Sequence, residues 1–87
     1  MKVTRDDVCS AVRDERSYQD AKWGTVEEHP HDLGSWVLIM EGELQEAKDA
    51  FLNCQPDEML KEILQVVAVG VACLEQHGIV SRWSRPQ

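Results

Sequence analysis

The chain has 87 residues, 43% of them hydrophobic and 29% charged, with a net charge of −7. That length confines it to a single domain, residues 1–87, with a thin core; the ordinary composition excludes disorder as its main content; and the charge excludes a broad surface for a nucleic-acid polymer, which needs a basic patch. Cys9, Cys54 and Cys73 form no C-x-x-C, the N-terminus has no apolar signal-peptide core, and the longest apolar run, residues 66–74, is too short to span a membrane, so a reducing cytoplasmic setting is expected.

A first helix is expected over about residues 5–22. Thr4 suits its N-cap, and Asp7 three residues later makes a capping box with it. Val8, Ala11, Val12, Glu15 and Tyr18 recur at helical spacing, but the stripe is thin, which places this helix at the edge of the core. A loop follows over residues 23–34, with Gly24, Pro30 and Gly34 around the run Glu27-Glu28-His29-Pro30-His31-Asp32. A loop this long in a small domain is more often functional than idle. No tetrahedral zinc pattern accompanies the histidines; Asp32 suits a helix cap and His31 a loop hydrogen bond.

The second helix is expected over about residues 33–53, capped by Asp32 or Ser35. Trp36, Met40, Leu44, Ala47 and Phe51 form its apolar stripe. Gly42 in mid-helix costs about 1 kcal/mol relative to Ala and suggests a close backbone approach. After a short connection, which favours antiparallel neighbours, a third helix is expected over about residues 57–77, opened by Pro56 and stopped by Gly78. Its centre, from Ile63 to Leu74, is apolar almost all round apart from Gln65, so it should be buried on most sides, with Gly70 at a tight helix contact. One short chain cannot surround it. A homo-oligomer in which the hairpins of two copies form a four-helix core would. The tail, residues 79–87, reads as a short helix or as a strap over a neighbouring subunit, with Arg82 and Arg85 solvated or reaching a phosphate there.

Two acidic patterns sit inside the apolar helices, Glu43-Leu44-Gln45-Glu46 and Glu62-Ile63-Leu64-Gln65. An i, i+3 spacing puts two side chains roughly 60° apart on one helix face. Carboxylates turned toward an apolar interface are costly unless neutralised, and a hard divalent cation with oxygen ligands does that. Mg²⁺ is the first candidate and Mn²⁺ the second. The competing reading is a solvated acidic stripe, a stronger alternative for Glu46, beside Lys48 and Asp49, than for Glu62.

In order along the chain, these residues resemble the MazG-like all-α nucleoside triphosphate pyrophosphohydrolases, whose pattern is E-E-x-x-E on one helix and E-x-x-D on the next. Here Gly42-Glu43-Leu44-Gln45-Glu46 is followed, after fifteen intervening residues, by Glu62-Ile63-Leu64-Gln65. Small phage and bacterial members also carry E-R-x-x-Q-x-x-K-W-G, then H-D and a Trp. The chain has Glu15-Arg16-Ser17-Tyr18-Gln19-Asp20-Ala21-Lys22-Trp23-Gly24, His31-Asp32 and Trp36. The similarity spans residues 15–74, with Gly42 and Gln65 standing where the family pattern has Glu and Asp.

The resemblance implies Mg²⁺-dependent cleavage of a nucleoside triphosphate between its α- and β-phosphates, giving a nucleoside monophosphate and pyrophosphate. It implies Glu43, Glu46 and Glu62 as metal ligands, with Gln65 at the fourth position as a neutral oxygen donor. Either Glu43 or Glu46 would serve as the catalytic base. Trp23 stacking on a base, Gln19 reading its edge and Lys22 or Arg16 meeting phosphate are the expected substrate contacts; the alternative for Trp23 is a seal on the first helix, and Trp36 fits the core better than a ligand. Gly42 and Gln65 keep open a catalytically silent helical module for nucleotide binding, regulation or oligomerisation.

Overall fold

Three helices form where the sequence places them: α1 (Arg5–Trp23), α2 (Leu33–Leu52) and α3 (Pro56–His77), in a computed structural model that describes residues 2–86. There is no strand among the described residues. The helix ends follow from local chemistry. Thr4 Oγ1 accepts from the Asp7 amide at 3.1 Å and the Asp7 carboxylate accepts from the Thr4 amide at 2.9 Å, which satisfies two otherwise orphaned donors. α1 stops at Gly24, whose φ of 89° is a left-handed conformation and whose N–H donates to the Asp20 carbonyl at 2.9 Å. A Cβ there would also lie 2.5 Å from the His29 ring. Glycine is required twice over at this corner.

The segment after Gly24 is not structureless. Thr25 and Glu28 repeat the reciprocal pairing of a capping box, at 3.0 and 3.2 Å, and fold a turn. Asp32, rather than Ser35, caps α2, accepting from the Ser35 amide at 2.7 Å. Cys54 takes a positive φ of 54° in the short link to α3, and Pro56 opens α3 where its missing N–H costs nothing. The observed ends differ from the expected ones by a residue or so, as fraying ends do.

α2 and α3 form an antiparallel hairpin, with Trp36 bonded to Gln76 near one end and Glu43 and Glu46 facing Glu62 toward the other. α1 lies against α3 and does not pack on α2. The central cluster joins Trp36, Val69, Ala72 and Cys73, with Val26, Ile39 and Met40 around it. The inward face of α1 is mostly polar, burying Arg16 and Gln19 beside Val12, so it sits at the edge of the core as its weak stripe implied.

Several expectations need correction. A Cβ on Gly42 would meet nothing within 4 Å, so this glycine faces open space and serves no close approach. At Gly70 the nearest atom to such a Cβ would be the Met40 sulfur at 3.5 Å, an ordinary van der Waals contact and not a tight crossing. Leu44 and Phe51, counted in the core stripe of α2, are 57% and 64% exposed. α3 is likewise open along Leu60, Ile63, Val67 and Leu74. A single short chain has too little mass to cover both sides of its hairpin. The tail beyond Gly78 forms no helix among the described residues, and no helix is long and apolar enough to cross a membrane.

Candidate metal centre and the adjoining cavity

Glu43 and Glu46 stand one turn apart on α2, and Glu62 meets them from α3. One carboxylate oxygen of each lies within 4.8 Å of the other two. Glu43 Oε2 and Glu62 Oε2 are buried and accept no hydrogen bond. Ionised carboxylates can only accept, so three of them cannot satisfy one another. No ion pair among the described residues reaches them, and nearby Lys61 is taken by Glu58 at 3.0 Å.

The electrostatic consequence is directional. Burial, followed by the Glu46 carboxylate through hydrogen bonding and charge, and then by Glu43, pushes the Glu62 carboxyl up to about 7. Burial and then Glu46 raise Glu43 as well, with a smaller contribution from Glu15 on α1. Such a cluster must either hold a proton or take a cation. The orphaned buried oxygens, the acceptor-only donor set and the absence of a protein cation all fit a hard divalent ion.

Gln65 follows Glu62 by three residues and is half-buried. Its backbone carbonyl accepts from Gln19 Nε2 at 3.5 Å. Glu15 was legible as a member of the α1 stripe and of the E-R-x-x-Q stretch, with no site role attached to it. Its carboxylate accepts from the other side of the same Gln19 amide, at 3.4 Å, so Gln19 links α1 to α3 beside the acidic cluster.

A cavity of about 400 Å³ opens next to Glu43, between α1, the turn after it and the hairpin. Trp23, Val26, Trp36, Ile39 and Val69 give it apolar walls, while Arg16, Gln19, Asp20, Thr25, His29 and His31 add polar groups. Volume and lining are those of a small-molecule site. Trp36 belongs to core and wall alike. Its indole N–H donates to Gln76 Oε1 at 2.9 Å, and its ring meets His31 edge-on with centroids 4.8 Å apart. The His31 carbonyl accepts from Gln76 Nε2 at 2.6 Å, a backbone bond that ties the loop to α3.

The four expected substrate contacts separate on inspection. Trp23 lines the cavity with half its surface exposed, free to stack. Lys22 is exposed and does not line it; its ammonium sits 4.8 Å from the centre of the Trp23 ring. Gln19 lines it, but its amide is committed to Glu15, Arg16 and Gln65. Arg16 requires a correction. Its guanidinium grips Glu75, reaches Asp20 at 2.9 Å and Gln19 at 3.3 Å, and is buried. It clamps α1 to α3 instead of standing ready for a phosphate.

Fold and site thus define an all-helical protein with three unneutralised carboxylates beside an aromatic cavity. Comparison with protein-family models, with curated proteins and with solved structures returns no match to the chain.

Proposed function

We propose that the protein is a Mg²⁺-dependent nucleoside triphosphate pyrophosphohydrolase that cleaves between the α- and β-phosphates and releases a nucleoside monophosphate and pyrophosphate. One observation carries the proposal. A carboxylate triad, in which Glu43 and Glu62 have buried, unpartnered oxygens and Glu46 is exposed, adjoins a cavity of small-molecule size, and Glu43 belongs to both. Glu43, Glu46 and Glu62 would hold the Mg²⁺ (or Mn²⁺), with Gln65 able to add a neutral oxygen. Bound there, the cation supplies neutralisation of the phosphate oxygens and acidification of water. Glu43 or Glu46 takes the proton of the attacking water, whose in-line approach to phosphorus needs little more from the protein than positioning. Trp23 offers its ring to the base, buried Trp36 closes the wall, and Arg16 holds α1 in place behind it.

The exposed apolar face of the hairpin supports a homodimer or homotetramer. Leu44, Phe51, Met59 and Ile63 line a groove on it, and the face of a second copy would complete a four-helix core. Sedimentation should show the oligomer, and Phe51→Glu should dissociate it. The substrate is a free nucleotide and not a nucleic-acid polymer, and a cytoplasmic setting suits it.

The deciding experiment measures pyrophosphate and monophosphate from a panel of ordinary and modified nucleoside triphosphates with Mg²⁺. Activity on some member, lost in Glu46→Gln, is expected; a folded protein that releases nothing from any of them refutes the reading. A neutral Gln65 favours a second reading, a silent nucleotide-binding module, for which calorimetry would show nucleotide and Mg²⁺ binding without turnover.

A further inference from the structure

We propose that Glu15 serves the metal centre as an outer carboxylate, so that a divalent cation held by Glu43, Glu46 and Glu62 also fastens α1 to the hairpin. This rests on the metal reading given above. α1 carries two polar rows on its inward side, each at i, i+4 spacing. Arg16 and Asp20 make one row, joined to Glu75. Glu15 and Gln19 make the other, which turns toward an earlier part of α3. Gln19 Nε2 stands 3.4 Å from Glu15 Oε2 and 3.5 Å from the Gln65 carbonyl oxygen, about 15 Å back along the helix from Glu75. Gln65 is one turn beyond Glu62, so this second row ends beside the triad. Gln19 is only 5% exposed and holds the Glu15 carboxylate on that side of the cluster.

The carboxylate is free for this task. Glu15 is half-buried, and no cation pairs with it among the described residues, although Arg16 is its neighbour in the chain. Gln19 engages one of its oxygens, and a carboxylate has acceptor sites for several donors. Its charge already reaches Glu43, whose carboxyl it helps to raise. It stands outside the cluster of direct ligands, whose oxygens lie within 4.8 Å of one another. It therefore acts on the ion through bound water and charge, as outer-shell carboxylates do. The consequence falls on α1. That helix packs on α3 and not on α2, its inward face is mostly polar, and it supplies Arg16, Gln19 and Trp23 to the cavity wall. With the ion in place, the pull on Glu15 steadies that wall.

The test compares the wild-type chain with Glu15→Gln by calorimetric titration with Mg²⁺ and by hydrogen exchange of the α1 amides with and without Mg²⁺. Glutamine keeps an oxygen for Gln19 Nε2 and removes only the charge. The Mg²⁺ dissociation constant should rise about tenfold. At equal saturation, Mg²⁺ should slow exchange in α1 of the wild type and much less in the variant. The metal-free variant should melt no lower than wild type, because one charge that repels Glu43 is gone; a purely structural role would lower it. Affinity within about twofold of wild type, no slowing of α1 by Mg²⁺ in the wild type, or a fall in the metal-free melting temperature of the variant overturns the proposal. Wild-type protein that binds no Mg²⁺ sinks the metal reading and this proposal together, whereas wild-type binding left intact by Glu15→Gln sinks this one alone. Neither readout needs turnover, so the hydrolase is judged separately.

Discussion

The two charged clusters between the helices differ in one respect. At one, a single guanidinium answers two carboxylates: Arg16 holds Glu75 and Asp20 and joins α1 to α3. At the other, Glu43, Glu46 and Glu62 crowd together with no cation paired to them among the described residues. The first is finished as folded and contributes to cohesion. The second raises the free energy of the folded chain as long as its carboxylates are ionised and alone. The contrast is therefore between a neutralised structural joint and an unneutralised acidic cluster, the one proposed above to hold the metal, built from the same side-chain types.

Exchanging one residue at each cluster should move stability in opposite directions. The largest effect is expected from Glu62→Gln, which should cut pyrophosphate release by about a hundredfold or more, since a metal ligand supplies several kcal/mol of transition-state stabilisation. The same change should raise the melting temperature of the metal-free protein, because it removes one of three repelling charges. Arg16→Met should do the reverse to stability. It leaves Glu75 and Asp20 without their partner, and because both are partly exposed the cost should be about 1–3 kcal/mol and not the full buried-pair penalty. In a domain of this size that is a fall of roughly 5–20 °C in melting temperature. Calorimetry of the two variants side by side is the check. If Glu62→Gln melts lower than wild type without metal, the triad is not strained and the contrast fails.

The pH dependence sharpens the same point with a smaller effect. The Glu62 carboxyl is pushed up to about 7 by burial and its acidic neighbours, above its unfolded value, so the folded chain binds this proton more tightly. The resulting stability is complete below the unfolded value and is lost as pH rises through about 7. Metal-free protein should melt at progressively lower temperature between about pH 5 and pH 8. Saturating Mg²⁺ should flatten that decline, because it binds the deprotonated cluster and its affinity grows over the same interval. The cap carboxylates behave oppositely: the Ser35 amide holds Asp32, and the Thr4 amide holds Asp7, below the usual carboxylate range. Their contribution is lost only as pH falls well below this range, so melting curves from pH 5 to pH 8, with chelator and with Mg²⁺, read the Glu62 proton without them.

How much of this was legible depended on the range of the interaction. Helix ends are set within a few residues, so Thr4 with Asp7, Gly24, Pro56 and Gly78 could be read directly. The acidic pairs were equally visible, because i, i+3 spacing fixes a shared face without knowledge of the fold. Arg16 was misread because its main partner, Glu75, is 59 residues away, and nothing local distinguishes a clamp from a phosphate contact. The cavity joins α1, the following turn and both hairpin helices, so no single segment announces it. Thr25-Val26-Glu27-Glu28 did carry a capping-box spelling, but with no apolar run after it the signal passed as loop. Leu44 and Phe51 show a different limit. An apolar stripe states that a face seeks burial, but not whether the same chain or a second copy provides it.

The smallest expected effect concerns Gln65, where the comparison can be pushed one charge further. Gln65→Asp would place a fourth carboxylate one turn beyond Glu62 on α3. If Gln65 faces the triad, the added charge should lower the metal-free melting temperature by a few degrees through like-charge repulsion. It should also tighten Mg²⁺ binding by about an order of magnitude, since each added anionic oxygen ligand strengthens the hold on a hard cation. The two changes are linked: the repulsion that weakens the empty cluster is the attraction that the ion feels. Calorimetric titration with Mg²⁺ and melting with chelator must therefore shift together. A variant that gains affinity with no loss of metal-free stability would mean that the fourth carboxylate reaches the ion without crowding the other three. A variant that changes neither would place Gln65 outside the site and leave Glu43, Glu46 and Glu62 as the whole of its protein ligand set.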